Sequence, residues 1–216
     1  MTCALVLLAG IAVSTARANP PAGDQPLLIV IRDYAGLSEG SLNQLETLGA
    51  VLLSRAHLRT QWVHCPGHRQ DPQPAVCDAN PETGSVLIRI LNAYPGTRKK
   101  PGDPLGSAVL ENRYASLYVY EIRTYADQNG LAAGRLMAYV AAHEIGHLLL
   151  GPVHSSSGIM RAAWGEEEYR DMAHGRLDFS EAERQALRGV GAGTRPAVDR
   201  PEMIAQNNVT RRQASN

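Results

Sequence analysis

The feature that most constrains the fold is an apolar run in the second half of the chain. Residues 136–150 read LMAYVAAHEIGHLLL, and this run is interrupted by His143, Glu144 and His147. A helix of this composition, predicted over residues 130–150, is apolar on most of its surface and must be buried. Burying two imidazoles and a carboxylate without partners costs several kcal/mol. The rest of the domain must therefore pack around this helix and supply those groups with a partner.

The spacing of the polar residues indicates what that partner is. His143 and His147 are four residues apart, so a helix places both imidazoles on one face. Two imidazoles at about 2.0–2.1 Å can hold a zinc ion. Glu144 would lie beside the open position of the metal, where it can take a proton from a bound water and later deliver it to a leaving amine. The alternative is a solvated polar patch on an amphipathic helix, which the apolar flanks disfavour.

The residues after the helix provide a third ligand. Gly151 can adopt the left-handed conformation that ends a helix, and Pro152 prevents the helix from continuing. The chain is forced to turn, and His154 follows. Three protein ligands and one open position are typical of catalytic zinc, whereas a structural site is closed by a fourth ligand. A tight turn at Gly158 then ends in Met160.

The string AHEIGHLLLGPVHSSSGIMRAAW, over residues 142–164, resembles the metzincin metallopeptidases, whose pattern is H-E-x-x-H-x-x-G-x-x-H followed by a methionine turn. Ser155 directly after His154 resembles the matrixin branch, and the wider string is similar to short exported bacterial metzincins. The resemblance implies an α+β fold with a twisted mixed sheet, an active-site helix and a small C-terminal helical part. It implies that Glu144 is the general base and acid, and that Met160 forms a hydrophobic floor beneath the metal. The ligands that it implies for one catalytic Zn²⁺ are His143, His147 and His154.

The sequence departs from the metzincin pattern at one position. The family has glycine three residues after the second histidine, where this chain has Leu150, and Gly151 comes one residue later. One more helical residue turns the exit of the helix by about 100°, although the Gly-x-x-His return to His154 is kept. Met160 has the alternative role of an ordinary core residue. Should another residue take the third ligand position, the candidates are Glu166, Glu167, Glu168, Asp171 and His174.

Apolar periodicity organises the rest of the chain as one domain over residues 19–190. The tail over 191–216 is rich in Gly, Pro, Asn and Arg, which predicts disorder. Ser180 is predicted to be the N-cap of the last helix. Predicted strands cover residues 27–32, 60–65, 85–91, 107–110 and 114–122, and predicted helices cover residues 38–55, 130–150 and 179–187.

The first eighteen residues are predicted to be a signal peptide. Residues 3–13 carry no charge and are too few to span a bilayer, and Ala16-Arg17-Ala18 fits a cleavage site. The alternative is a buried first element of a cytosolic domain. We expect a secreted protein, extracellular or periplasmic, without a stable membrane anchor. About eight residues would then precede the first strand, so we expect no folded N-terminal inhibitory domain and expect any inhibition to come from a separate partner.

Two cysteines remain after the predicted leader, Cys65 and Cys77. In an oxidising compartment they are expected to form a disulfide, which would stabilise the fold by about 2–3 kcal/mol. The alternative is a small zinc site, for which the spacing also provides ligands. Its ligands would be His64, Cys65, His68 and Cys77.

These observations predict a secreted zinc-dependent metalloendopeptidase in which Glu144 activates a water on the metal. We expect its partner to be an extended polypeptide substrate that adds to the exposed edge strand over residues 107–110. Lys+Arg and Asp+Glu both number 21, and this zero net charge disfavours a nucleic-acid binder. The alternatives are a catalytically inactive metzincin-fold binding module that is exported, and a zinc hydrolase acting on a non-peptide amide or ester.

Overall fold

The structure is a computed structural model that describes residues 25–67, 75–77, 85–95, 103–191 and 204–205. Its elements alternate between strands and helices in the first half, and helices dominate the second half. A short 3-10 turn covers Ala75–Cys77. In chain order the elements are β1 (Leu27–Asp33), α1 (Glu39–Arg55), β2 (Thr60–Pro66), β3 (Ser85–Leu91), β4 (Gly106–Val109), β5 (Tyr114–Tyr118), α2 (Val119–Gln128), α3 (Ala133–Leu150), α4 (Glu166–Ala173), α5 (Glu181–Gly191) and β6 (Ile204–Ala205).

The strands form one mixed sheet in the order β2-β1-β3-β5-β4-β6. The pairs β1–β2, β1–β3 and β3–β5 are parallel. The strand β4 is antiparallel to β5 on one side and to the two-residue strand β6 on the other. The predicted α+β class with a mixed sheet is therefore confirmed.

The core lies between the sheet and the helices α1 and α3. Burial alternates along β3, where Val86, Ile88 and Ile90 are fully buried and the intervening residues are partly exposed. This period of two is the one that a strand with a single buried face requires. The helix α3 packs against β4, β5 and α1, and nearly all of its residues are buried. The apolar composition of residues 136–150 is thus explained by a central position.

One predicted strand, over residues 114–122, is wrong in its second half. The strand ends at Tyr118, and the helix α2 begins at Val119. Aromatic and β-branched residues around the junction favour a strand. The buried residues Val119, Ile122 and Ala126 nevertheless follow helical spacing. Packing of this apolar face against α3 outweighs the local strand preference.

The C-terminal helices show one confirmed and one missed element. Ser180 accepts the Glu183 backbone N–H at 3.3 Å, and the Ser180 backbone N–H donates to the Glu183 carboxylate at 2.7 Å. This reciprocal pair is a capping box, so the predicted N-cap is confirmed. The helix α4 was not predicted, because its first turn is the acidic run 166–168. Acidic side chains stabilise the positive N-terminal end of a helix dipole. The acidic run could therefore have been recognised as the first turn of a helix.

Several predictions concern residues outside the described part of the chain. The signal peptide over residues 1–18 lies there, as does most of the tail over 191–216. Two residues of this tail, Ile204–Ala205, form β6, so the prediction of disorder is wrong for them. Within the described residues, the helices all lack the combination of length and hydropathy that a bilayer crossing requires.

The disulfide between Cys65 and Cys77 is formed, with the two Cα atoms 5.7 Å apart. It joins the end of β2 to the 3-10 turn and packs in a small apolar cluster with Val30. The disulfide prediction is confirmed. The alternative zinc site is wrong, because sulfurs bonded to each other cannot act as thiolate ligands, and His64 instead contacts Glu46 at 2.9 Å.

Candidate metal centre

The helix α3 carries two of the predicted ligands on one face. The rings of His143 and His147 have centroids 4.6 Å apart, and both residues are completely buried. Their shared orientation follows from the four-residue spacing. The spacing brings the two imidazoles together, and the burial of α3 places them inside the domain.

The third imidazole reaches the same point in spite of the late glycine. The helix runs to Leu150, and Gly151 ends it with a φ of +92°, a conformation that favours glycine. The returning chain places His154 Nε2 3.2 Å from His147 Nε2. Ligand-capable nitrogens of His143, His147 and His154 all lie within 4.8 Å of one another. The extra helical residue is absorbed in the turn, and His154 still joins the pair.

Two backbone carbonyls fix the orientation of the buried rings. His143 Nδ1 donates to the Ile159 carbonyl at 2.7 Å, and His147 Nδ1 donates to the Gly151 carbonyl at 3.2 Å. A proton on each Nδ1 leaves each Nε2 with a free lone pair. This is the outer hydrogen bond that metal-binding histidines usually make. The same glycine that ends the helix therefore also orients His147.

The distance between two of the three nitrogens fits a tetrahedral ion. Two nitrogen ligands at about 2.0–2.1 Å from zinc are about 3.3–3.4 Å apart, which is close to the 3.2 Å between the His147 and His154 Nε2 atoms. His143 Nε2 is buried and has no hydrogen-bond partner among the described residues. An orphaned buried acceptor of this kind requires a partner, and a cation between the three rings supplies it.

Burial also keeps these imidazoles neutral. It lowers the pKa of His143 to about 3, with the neighbouring His147 and His154 adding to the effect. It lowers the pKa of His147 to about 4 and shifts the pKa of His154 downward. Neutral imidazole is the form that binds a metal. The centre is therefore ready to accept a cation at neutral pH.

Glu144 is the second orphaned group. It is completely buried, and neither of its oxygens has a hydrogen-bond partner among the described residues. Burial raises its pKa well above the ordinary value. A carboxyl group whose protonated form is favoured by burial can take up a proton and return it. Placed next to His143 on α3, it has the position and chemistry expected of a general base.

The strand β4 approaches Glu144 through a residue that the sequence did not single out. A Cβ atom at Gly106 would lie 2.7 Å from Glu144 Oε1 and 2.8 Å from Val140 Cγ1. The main chain of β4 can therefore pass the carboxylate only because this residue is glycine. The buried carboxylate and the edge of the sheet are thereby direct neighbours.

Met160 lies in a turn that packs against α3. It is buried and packs against Gly146, which sits between the two histidines of α3. The turn is anchored by Ile159, whose N–H donates to the Asp178 carbonyl at 3.0 Å. Gly158 has a φ of +77° and leaves no room for a Cβ beside that carbonyl. This position agrees with a hydrophobic floor near the ligands.

Trp164 is a further neighbour of the centre. Its indole N–H donates to the Ile159 carbonyl at 3.3 Å, the same acceptor that orients His143. Its ring meets the His143 ring edge-on, with centroids 5.5 Å apart. From the sequence, Trp164 could either wall a cleft or pack against the small C-terminal part, and its contact with His143 depends on how the turn folds back onto α3.

The acidic candidates for the third ligand lie elsewhere. Glu168 is buried and pairs with Arg161, and it also accepts the Gly165 N–H at 2.8 Å, so it caps α4. Asp171 pairs with Arg176 at 2.8 Å. Within the part of the chain that the structure describes, the only group with metal-binding geometry is the histidine trio. The remaining candidates, which are absent from that group, are Glu166, Glu167 and His174.

No family model matches this sequence, and no curated protein matches it. The fold is similar to that of the archaemetzincin from Methanopyrus kandleri, with a TM-score of 0.52, 13% identity, and coverage of 80% of this chain and 98% of that chain. This likeness confirms the metzincin-like fold. The archaemetzincin from Archaeoglobus fulgidus, complexed with malonate, gives a TM-score of 0.47 at 16% identity over 74% of this chain and 99% of that chain. A zinc-dependent peptidase from Methanocorpusculum labreanum gives 0.45 at 14% identity over 74% of this chain and 99% of that chain.

Proposed function

We propose that this protein is a zinc-dependent metalloendopeptidase. The observation that carries the proposal is the convergence of three imidazoles beside a buried carboxylate that has no partner of its own. A site built only for structure would need no such carboxylate and would close its fourth position with protein. The name of the archaemetzincin whose fold it shares supports the same class.

Different residues of the site would bind the metal and transfer the proton. His143, His147 and His154 would hold the ion, which when bound would polarise a substrate carbonyl and make water more acidic. Glu144 is ionised beside a dication, because an opposite charge favours the charged form. It accepts a proton from the attacking water and returns it to the nitrogen of the leaving amine. Burial of Glu144 keeps bulk water from competing for that proton.

The substrate would be an extended polypeptide. His154 and its neighbour Val153 are exposed, whereas His143 and Glu144 are buried. The centre is therefore reached from the side of His154. An extended chain that pairs with β4 by main-chain hydrogen bonds would pass close to Glu144. Such pairing gives affinity with little dependence on side chains.

The protein would act outside the cytoplasm. The disulfide between Cys65 and Cys77 supports this, because disulfides persist in oxidising compartments. The uncharged run over residues 3–13 supports it independently. Fractionation of the producing cells should find the protein outside the inner membrane with Asn19 at its N-terminus. Retention of the first eighteen residues in a cytosolic fraction would contradict this.

The Glu144→Gln substitution tests the function directly. The amide keeps the shape of the side chain but cannot accept the proton, so hydrolysis of a reduced and alkylated protein should fall by about 10²–10⁴-fold. Zinc content should stay at one equivalent, because Glu144 is not a ligand. The matched control is Glu166→Gln, since Glu166 is exposed in the first turn of α4.

Two results would contradict the proposal. Equal hydrolysis by wild type and Glu144→Gln would remove this residue from the mechanism. Stoichiometric zinc in wild type, with no turnover of any protein or peptide substrate, would favour the alternative of an inactive binding module.

A further inference from the structure

The outer edge of β4 is occupied by the chain itself. Ser107 pairs with Ala205 and Ala108 pairs with Ile204, in antiparallel register. On its inner side the same strand pairs with β5. The two residues of β6 therefore cover the edge that an extended peptide would use.

The direction of β6 relates it to the metal centre. Because the pairing is antiparallel, β6 runs from the position opposite Ala108 to the position opposite Ser107. It therefore runs toward the end of β4 that begins with Gly106. Gly106 is the residue whose backbone lies against Glu144. A chain that pairs with this edge in the same direction as β6 therefore approaches Glu144 with its C-terminal end.

We infer that the C-terminal segment around Ile204–Ala205 occupies the outer edge of β4 in cis and competes there with the extended substrate. The inference rests on the proposed function, since it concerns access to the same site. The recognition is main-chain hydrogen bonding, which any extended segment with a free N–H at the paired position can make. Inhibition would then come from a segment of the same chain and not from a separate partner.

The occupation is expected to be partial and reversible. Two paired residues give a weak contact, but a covalently attached segment acts at an effective concentration in the millimolar range. A segment whose dissociation constant lies about tenfold below that effective concentration covers the edge about ten times as often as it leaves the edge free. Removing the pairing should therefore raise kcat/KM about tenfold.

The test uses the full chain with zinc bound. The double variant Ile204→Pro/Ala205→Pro removes both main-chain donors of β6, so the ladder loses every hydrogen bond that β6 donates and should be weakened. The matched control is Ser215→Pro, which places one proline in the tail away from β6. Two quantities are measured: hydrogen exchange of residues 105–110, and kcat/KM on a fluorogenic unfolded substrate. A synthetic peptide of residues 199–210 is then added in trans.

The expected result is faster exchange at residues 105–110 and about tenfold higher kcat/KM in the double variant, with the control unchanged. The added peptide should inhibit the double variant competitively. Unchanged exchange, or faster exchange with unchanged kcat/KM, would overturn the inference. Absence of hydrolysis in every variant would instead count against the proposed function. In that case hydrogen exchange of residues 105–110 is measured in the double variant with and without the added peptide. Slower exchange with the peptide would still show that the β4 edge binds the β6 segment, and unchanged exchange would show that it does not.

Discussion

The three imidazoles of the metal centre are held by different means. His143 and His147 are buried in α3, and each donates to a backbone carbonyl. His154 is exposed and stands on the loop that follows Gly151. Its approach to the other two is therefore the feature of the centre that depends most on loop conformation.

Removing the third imidazole tests that feature. The His154→Ala substitution should weaken zinc binding by more than the 10–100-fold that is typical for loss of an outer-shell partner. The fold should persist, because the side chain is exposed. Competition with a chelator measures the affinity, and circular dichroism checks the fold. His174→Ala is the control, and equal affinity in both variants would show that His154 is not a ligand.

The buried histidines also predict how the metal-free protein responds to acid. Burial lowers the pKa of His143 to about 3 and that of His147 to about 4. The unfolded chain protonates these groups near their ordinary pKa of about 6.5, so it binds more protons than the folded chain below that pH. Each histidine then lowers the free energy of unfolding by up to about 1.4 kcal/mol per pH unit as pH falls from about 6.5 toward 4.

Glu144 contributes with the opposite sign. Its raised pKa means that the folded chain keeps a proton which the unfolded chain has lost, until the pH falls to the ordinary carboxyl value. The carboxyl group therefore offsets one of the two histidines above about pH 4.5. Urea unfolding of chelator-treated protein should show this dependence, and Glu144→Gln should make it steeper. A flat profile between pH 6.5 and 4.5 in both proteins would contradict the assignment.

Among the elements, the contact between β4 and α3 decides where Glu144 can lie. A Cβ at Gly106 would meet Glu144 at Oε1 and Cγ, at 2.7 Å and 2.9 Å, and Val140 at 2.8 Å. Contacts this short cannot be accommodated without moving either the strand or the carboxylate. The glycine therefore fixes the place of the Glu144 carboxylate from a different element.

The Gly106→Ala substitution should displace Glu144 and leave the histidines in place. A misplacement of about 1 Å costs roughly 10²-fold in rate, so kcat should fall by about that factor while zinc affinity is kept. Gly40→Ala is the control, because nothing lies within 4 Å of a Cβ at Gly40 and its φ is not positive. Wild-type kcat in Gly106→Ala would show that the contact does not constrain the base.

For the molecule as a whole, the sequence predicted local patterns well and long-range packing poorly. The strands β1, β2 and β3 and the helix α3 follow from periodicity, and the histidine spacing indicated the centre. The proximity of Gly106 to Glu144 and of Trp164 to His143 depends on which elements pack together, and no local pattern contains that information. The helix α2 was missed for a related reason, since its apolar face is buried by packing against α3, which lies outside the local sequence.

The disulfide and the metal centre belong to separate parts of the molecule. Cys65 and Cys77 pack with Val30 in a cluster distinct from the main core that surrounds α3. Replacing both cysteines by serine should lower the free energy of unfolding by about 3 kcal/mol, the value expected for closing a loop of this size. Zinc affinity and kcat should not change at a temperature where the variant is folded.

Urea unfolding of the zinc-loaded protein measures the loss of stability, and chelator competition measures the affinity. Reduction of the wild-type protein with a thiol is the matched control and should reproduce the loss, because it opens the same loop without changing a side chain. A variant that loses zinc while still folded would show that the loop beyond β2 supports the centre. Unchanged stability would show instead that the unfolded chain gains little freedom when the bridge is absent. Only the loss of zinc would mean that the two clusters, which are separate in the structure, are coupled energetically.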